Sequence, residues 1–123
     1  MAIAFDRKQT RTFVPPSDRR LPTDEQTTFV IAPMSQDDFD DLQKASTVDG
    51  RPVMEQMRDT VRRALVGWKN FKLADGSQAS FATDERGRPT DETLKQIRPK
   101  DLLALATDIN KGETMETEDA GKS

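Results

Sequence analysis

The sequence predicts an α+β fold: a mostly helical small domain of three to four helices with a short N-terminal β portion and a disordered acidic C-terminal tail. Three observations carry that expectation. Two β-branched and aromatic segments near the start each end at proline. Apolar residues between positions 52 and 68 recur at spacings of three and four. A leucine-rich run opens at Pro99 and closes at Gly112. One α+β domain is expected over 1–112, followed by a tail over 113–123.

The elements follow in order. Thr10 to Val14 (TRTFV) and Thr27 to Ala32 (TTFVIA) read as short strands, bounded by Pro15-Pro16 and by Pro33. The connection between them, PPSDRRLPTDEQ, is polar and punctuated by proline. It suits a loose hairpin or strands that pair elsewhere. Two strands alone are marginal in water, so they are expected to pack on helices or on another chain.

Ser35 opens a helix over SQDDFDDLQKA. Its hydroxyl can cap, Asp38 stands in the capping-box position, and Asp37 and Asp38 sit where the helix dipole favours anions. Phe39 and Leu42 share a face, and Asp49-Gly50 is a turn signal. The strongest helix is expected from Pro52 to Trp68. Its stripe comprises Met54, Met57, Val61, Ala64, Leu65 and Trp68, with Arg58, Asp59, Arg62 and Arg63 beside or opposite.

Beyond Trp68, Asp75-Gly76 suits a small hairpin or bent loop, and TDERGRPTDE reads as an exposed polar segment. Thr90 can cap a short helix over TDETLKQI, where Leu94 and Ile97 face one side. The last helix, from Pro99, carries Leu102, Leu103, Leu105, Ala106 and Ile109. Lys111 suits its dipole and Gly112 a left-handed stop. The remaining ETMETEDAGKS holds Met115 as its one packing residue. No internal repeat is visible.

Composition narrows function. Of 123 residues, 33% are hydrophobic and 33% charged, so the core is expected to be thin. Cysteine and histidine are both absent, which removes disulfides, thiolate metal sites and the usual neutral-pH acid–base group. The net charge of −3 argues against general affinity for nucleic acid. No stretch approaches the ~20 apolar residues needed to span a bilayer. The apolar start Met1 to Phe5 is too short for a signal-peptide core, so a cytoplasmic protein is expected.

Each candidate constellation has a plainer reading. Asp37, Asp38, Asp40 and Asp41 could bind a divalent cation. Consecutive helix residues diverge by ~100°, however, so the cluster reads as a solvated face. Arg51, Arg58, Arg62 and Arg63, with Lys69 and Lys72, make the middle segment locally basic. They read first as partners for Glu55, Asp59 and the aspartate helix, second as a grip on a protein partner, and last on nucleic acid. Met54, Met57 and Trp68 read as core, and also as an adaptable binding groove. No serine or threonine has a visible base, and no phosphate-cradling glycine loop occurs, so catalysis is not expected.

The block Val61 to Phe81, VRRALVGWKNFKLADGSQASF, resembles the tail assembly chaperones of long-tailed bacteriophages. The shared features are Leu65-Val66-Gly67-Trp68, the Asp75-Gly76 turn, Phe81, and the leucine-rich segment Leu102 to Ile109. The opening TFVPPSDRRLPTDEQTTFVIAPMS is similar to the start of some such proteins. The loop from Thr83 to Thr90 and the acidic tail have no counterpart in that pattern.

The resemblance implies a non-catalytic protein without cofactor or metal that binds the tape measure protein and helps bring tail tube subunits to it. It implies location in the host cell cytoplasm and absence from the mature virion. The partner surface expected on this reading is Met54, Met57, Arg58, Val61, Arg62, Leu65 and Trp68, the arginines steering an acidic partner. Glutamate at both 57 and 61 is expected to abolish binding while leaving a folded monomer. A minor tail or head-completion subunit and a small nucleic-acid-binding regulator are the alternatives. An unsatisfied two-strand edge also favours self-association.

Overall fold

The computed structural model describes residues 4–114. It has four α-helices and a three-stranded antiparallel sheet, so the α+β expectation holds. The strands are β1 (Arg11–Phe13), β2 (Thr28–Ile31) and β3 (Leu65–Lys69), in the order β1-β2-β3. The helices are α1 (Gln36–Ser46), α2 (Val53–Ala64), α3 (Asp91–Lys95) and α4 (Pro99–Thr114).

The two N-terminal strands pair with each other, Phe13 standing opposite Phe29. Their proline-rich connection forms two single 3-10 turns, Pro16–Asp18 and Thr23–Glu25. Asp18 ties that connection to the sheet by accepting from the Thr27 N–H at 2.8 Å.

The expected helix from 52 to 68 is corrected: it stops at Ala64, and Leu65 to Lys69 form the third strand. The reason lies in what β2 requires. Its second edge needs a partner; Val66 and Trp68 are middling helix formers that favour strands, and Gly67 weakens the helix and tolerates the neighbouring bulge. Phe29 therefore faces Trp68, and the register slips by one residue between Val30 and Ile31, leaving Val66 as a bulge. The bulge lets Leu65 and Trp68 both point inward although three positions separate them. A spacing of three is a helical signal, which is why the sequence pattern reads through the helix end.

Gly112 does not stop α4, which continues through Thr114. A Cβ at Gly112 would lie 2.6 Å from an Arg11 guanidinium nitrogen. Arg11 ion-pairs with Asp108 and donates to its carbonyl at 3.1 Å, so the glycine admits that arginine across the helix. Glu113 and Thr114 are thus helical, and the rest of the expected tail lies outside the described residues.

The core lies between the sheet and the helices. Phe29, Leu65, Leu94, Leu105, Ile109 and Val61 are its largest fully buried side chains. Around Trp68 the rings of Phe29, Phe71 and Phe81 meet edge to face, with centroids 6.2, 4.7 and 4.9 Å away. The Trp68 indole N–H donates to the Ala79 carbonyl at 3.0 Å.

Between β3 and α3 the backbone repeats itself, although the sequence shows no repeat. Leu73 N–H donates to Ser77 at 2.8 Å, Gly76 to Leu73 at 2.9 Å and Ala79 to Phe71 at 2.7 Å. The same bonds recur eleven positions on: Asp84 to Arg88 at 2.7 Å, Gly87 to Asp84 at 2.9 Å and Thr90 to Ala82 at 3.1 Å. Isolated bridges pair Lys72 with Gln78 and Thr83 with Pro89. Each tip turns on a glycine with positive φ, 89° at Gly76 and 79° at Gly87. The segment expected to be fully exposed is corrected here. Pro89 is buried and Arg88 half-buried, because the second hairpin folds back onto α1.

Candidate functional site

Helix α1 begins as its sequence implies, with the Ser35 hydroxyl accepting from the Asp38 N–H at 3.2 Å. The Asp38 carboxylate does not close a capping box. It is 12% exposed and accepts from Arg63 at 3.2 Å and, more closely, from Arg88. The reading of the aspartates as one solvated face is therefore corrected at Asp38, which joins α1, α2 and the second hairpin. The burial follows from rotation: Asp38 and Leu42 are i, i+4 neighbours, and both face the core. The side chains of Asp37 and Asp40 make no ion pair or hydrogen bond among the described residues, and Asp41 stands 3.9 Å from Arg63.

The arginines in and just before α2 are largely consumed internally. Arg51 binds Glu55 at 3.2 Å and, more closely, Asp59. The Asp59 hydrogen bond is the main reason its guanidinium is held above the ordinary arginine value. Arg62 binds Asp59 at 2.8 Å and Asp91 on α3. Arg7 joins this end by donating to the Pro33 and Arg63 carbonyls at 2.8 and 2.9 Å. Among the described residues, Arg58 makes no such pair.

The seven residues expected to bind a partner fall into two groups. Val61, Leu65 and Trp68 are 0%, 1% and 9% exposed and belong to the core. Met54 and Met57 are half-buried and packed against that core, while Arg58 and Arg62 are half-buried at the surface of α2. The stripe is thus one continuous core seam for much of its length, and its accessible part is confined to the first two turns of α2.

A second feature was not singled out from the sequence. Between α1 and α2 runs a groove of about 220 Å³. Phe39, Leu42 and Met57 give it an apolar lining, and Gln43, Ser46, Arg51, Gln56, Thr60 and Asn110 of α4 a polar one. Val53, one turn before Met57, is 61% exposed. The signal was present in the sequence: Phe39, Leu42, Gln43 and Ser46 stand at i, i+3, i+4 and i+7. Only the packing of α1 on α2 reveals that this row borders an opening.

Among the described residues, no three carboxylate, histidine or cysteine side chains are grouped to hold a metal ion. None of the described helices is long and apolar enough to cross a membrane. No family model, curated protein or solved structure matches this chain.

Proposed function

We propose that this chain is a non-catalytic tail assembly chaperone of a long-tailed bacteriophage, which binds the tape measure protein and helps recruit tail tube subunits in the host cytoplasm. The observation that carries the reading is the resemblance over Val61 to Phe81, taken with where those residues lie. Val61, Leu65 and Trp68 are core, the Trp68 indole N–H donates to the Ala79 carbonyl beyond the Asp75-Gly76 turn, and Phe81 meets Trp68 edge to face. The shared phrase is therefore one structural unit: a helix end, a strand and a hairpin closed around a tryptophan. Residues so placed are constrained jointly, so likeness across all of them weighs more than short likenesses scattered over a surface.

The role also suits the chain's physical character. A partner-binding protein for a long amphipathic helical chain requires accessible apolar side chains rimmed by charge. Phe39, Met54, Met57 and Val53 supply the former, and α1 supplies the latter. The test is a tagged pull-down from phage-infected cells during assembly, read by mass spectrometry beside purified virions. Recovery of the tape measure protein, with this chain missing from particles, is the expected result. Presence of the chain in the particle would instead make it a minor tail or head subunit and end the chaperone reading.

A further inference from the structure

We infer that Asp49 is a site of spontaneous covalent modification, isomerising to isoaspartate through a cyclic imide formed with Gly50, and that Asp75, which precedes Gly76, is spared by the hydrogen bonds of its hairpin.

The sequence holds two Asp-Gly pairs, Asp49-Gly50 and Asp75-Gly76. Glycine after aspartate favours imide closure, because no side chain shields the attacking backbone nitrogen and the backbone bends freely there. Both pairs are exposed and lie at turns. Both glycines have positive φ, 80° at Gly50 and 89° at Gly76. In residue type, exposure and glycine conformation the two are alike.

They differ in what the reacting groups already bind. Closure needs the glycine nitrogen as nucleophile and the aspartate carboxyl carbon as electrophile. At the hairpin both groups are engaged. The Gly76 N–H donates to the Leu73 carbonyl at 2.9 Å. The Asp75 carboxylate accepts from the Ser77 hydroxyl at 2.6 Å and from the Ser77 N–H at 2.9 Å. These two bonds, the hydroxyl's first, hold Asp75 below the ordinary aspartate range. The acid form, which is the better electrophile, is thereby depleted. In the turn between α1 and α2 neither group is held. Among the described residues the Asp49 carboxylate has no hydrogen bond or ion pair, and the Gly50 N–H has no acceptor. A Cβ at Gly50 would meet nothing within 4 Å, so no neighbour blocks the ring from closing.

The reaction needs no co-reactant except water. The Gly50 nitrogen bonds to the side-chain carboxyl carbon of Asp49, and its proton departs with the carboxyl hydroxyl as water. A second water then opens the ring at either carbonyl. Opening at the side-chain carbonyl restores aspartate. Opening at the main-chain carbonyl routes the chain through the Asp49 Cβ and inserts a methylene into the backbone. The Arg51 guanidinium reaches back over this turn to the Ala45 carbonyl at 3.1 Å, so the added length falls inside the loop which that bond closes.

The experiment keeps the full chain at pH 6 and 37 °C for several weeks, with a parallel sample unfolded in guanidinium chloride. Tryptic peptides carrying Asp49 and Asp75 are separated and read by mass spectrometry. The imide is one water lighter, and isoaspartate is resolved by retention and electron-transfer fragmentation. In the folded chain Asp49 is expected to convert about tenfold faster than Asp75, the factor that roughly one net hydrogen bond on each reacting group supplies. In denaturant the two rates should come close together. Ser77→Ala, with its fold checked by circular dichroism, should speed conversion at Asp75 severalfold and leave Asp49 unchanged. Asp49→Glu, whose ring would need six members, should abolish the product in the first peptide. Equal rates in the folded chain, no conversion at Asp49, or an Asp75 rate indifferent to Ser77→Ala would overturn the inference. A preference for Asp49 as large in denaturant as in the folded chain would also overturn it, by assigning the difference to flanking residues rather than to hydrogen bonds.

Discussion

Val61 decides whether the apolar stripe of α2 is a docking surface or a core seam. It is fully buried in the last turns of α2, the helix that packs against α4. Val61→Ala removes two buried carbons at about 0.8 kcal/mol each, and the unfilled space adds a similar cavity contribution, giving about 2–3 kcal/mol. For a domain of this size that corresponds to a fall in melting temperature of roughly 10 °C. Val61→Glu is far worse. It places a carboxylate where no cation is recorded against the side chain, at a cost of several kcal/mol that approaches the whole stability of a typical domain. Thermal and urea unfolding followed by circular dichroism measure both. The alanine variant is expected to keep its cooperative transition at lower temperature, and the glutamate variant to lose it. A folded Val61→Glu protein melting within a few degrees of wild type would refute the core assignment and restore the surface reading.

Two further outcomes follow from charges. Asp38→Asn leaves Arg63 and Arg88 without their shared anion while both guanidiniums remain largely covered; a loss of about 2–3 kcal/mol is expected, discounted from the 3–5 kcal/mol of a fully buried pair because Arg63 and Arg88 keep some water. Urea titration checks it, and a double-mutant cycle with Arg88→Met should return positive coupling; a cycle near zero would mean that Asp38 matters only through its helix turn. Asp75 is held below the ordinary aspartate range chiefly by the Ser77 hydroxyl, and Asp84 by the Arg88 N–H. A carboxylate with a depressed folded-state value stabilises above its unfolded value and loses that contribution as pH falls through the folded one. Both hairpin tips should therefore loosen below about pH 4. Amide exchange at Ser77 and Arg88 between pH 5 and 2.5 reads the change, and protection that is flat over that window would contradict it.

How far the sequence reaches depends on what kind of signal each element carries. The caps at Ser35 and Thr90 are local chemistry, and both hydroxyls accept the N–H three residues on. The strands near Phe13 and Phe29 are announced by β-branched residues and stopped by prolines, which act within a few positions. The third strand is a tertiary decision. Leu65 and Trp68 carry helical spacing because a bulge supplies the extra residue, and β2 claims the segment for its open edge. The end of α4 fails for a related reason: Gly112 is a stop signal locally, but here it makes room for Arg11, a residue from the other end of the chain. Asp38 looks like any other aspartate of its run until Arg63 and Arg88 arrive from 25 and 50 positions away.

The same distinction bears on the site. Residue type alone cannot separate a charge that holds the fold from one that meets a partner, because Arg51, Arg58, Arg62 and Arg63 are identical in composition. The ion pairs separate them. Arg51 ties the turn before α2 to α2 itself, Arg62 joins α2 to α3, and Arg63 joins α2 to α1. Internal pairing subtracts those cations from the outward field, leaving Arg58 as the arginine of α2 without an ion pair among the described residues. A segment that reads as basic in sequence thus carries less free positive charge in space than its composition suggests. For a partner chain the remaining free charge governs encounter, since association responds to charges left unneutralised by the protein's own structure.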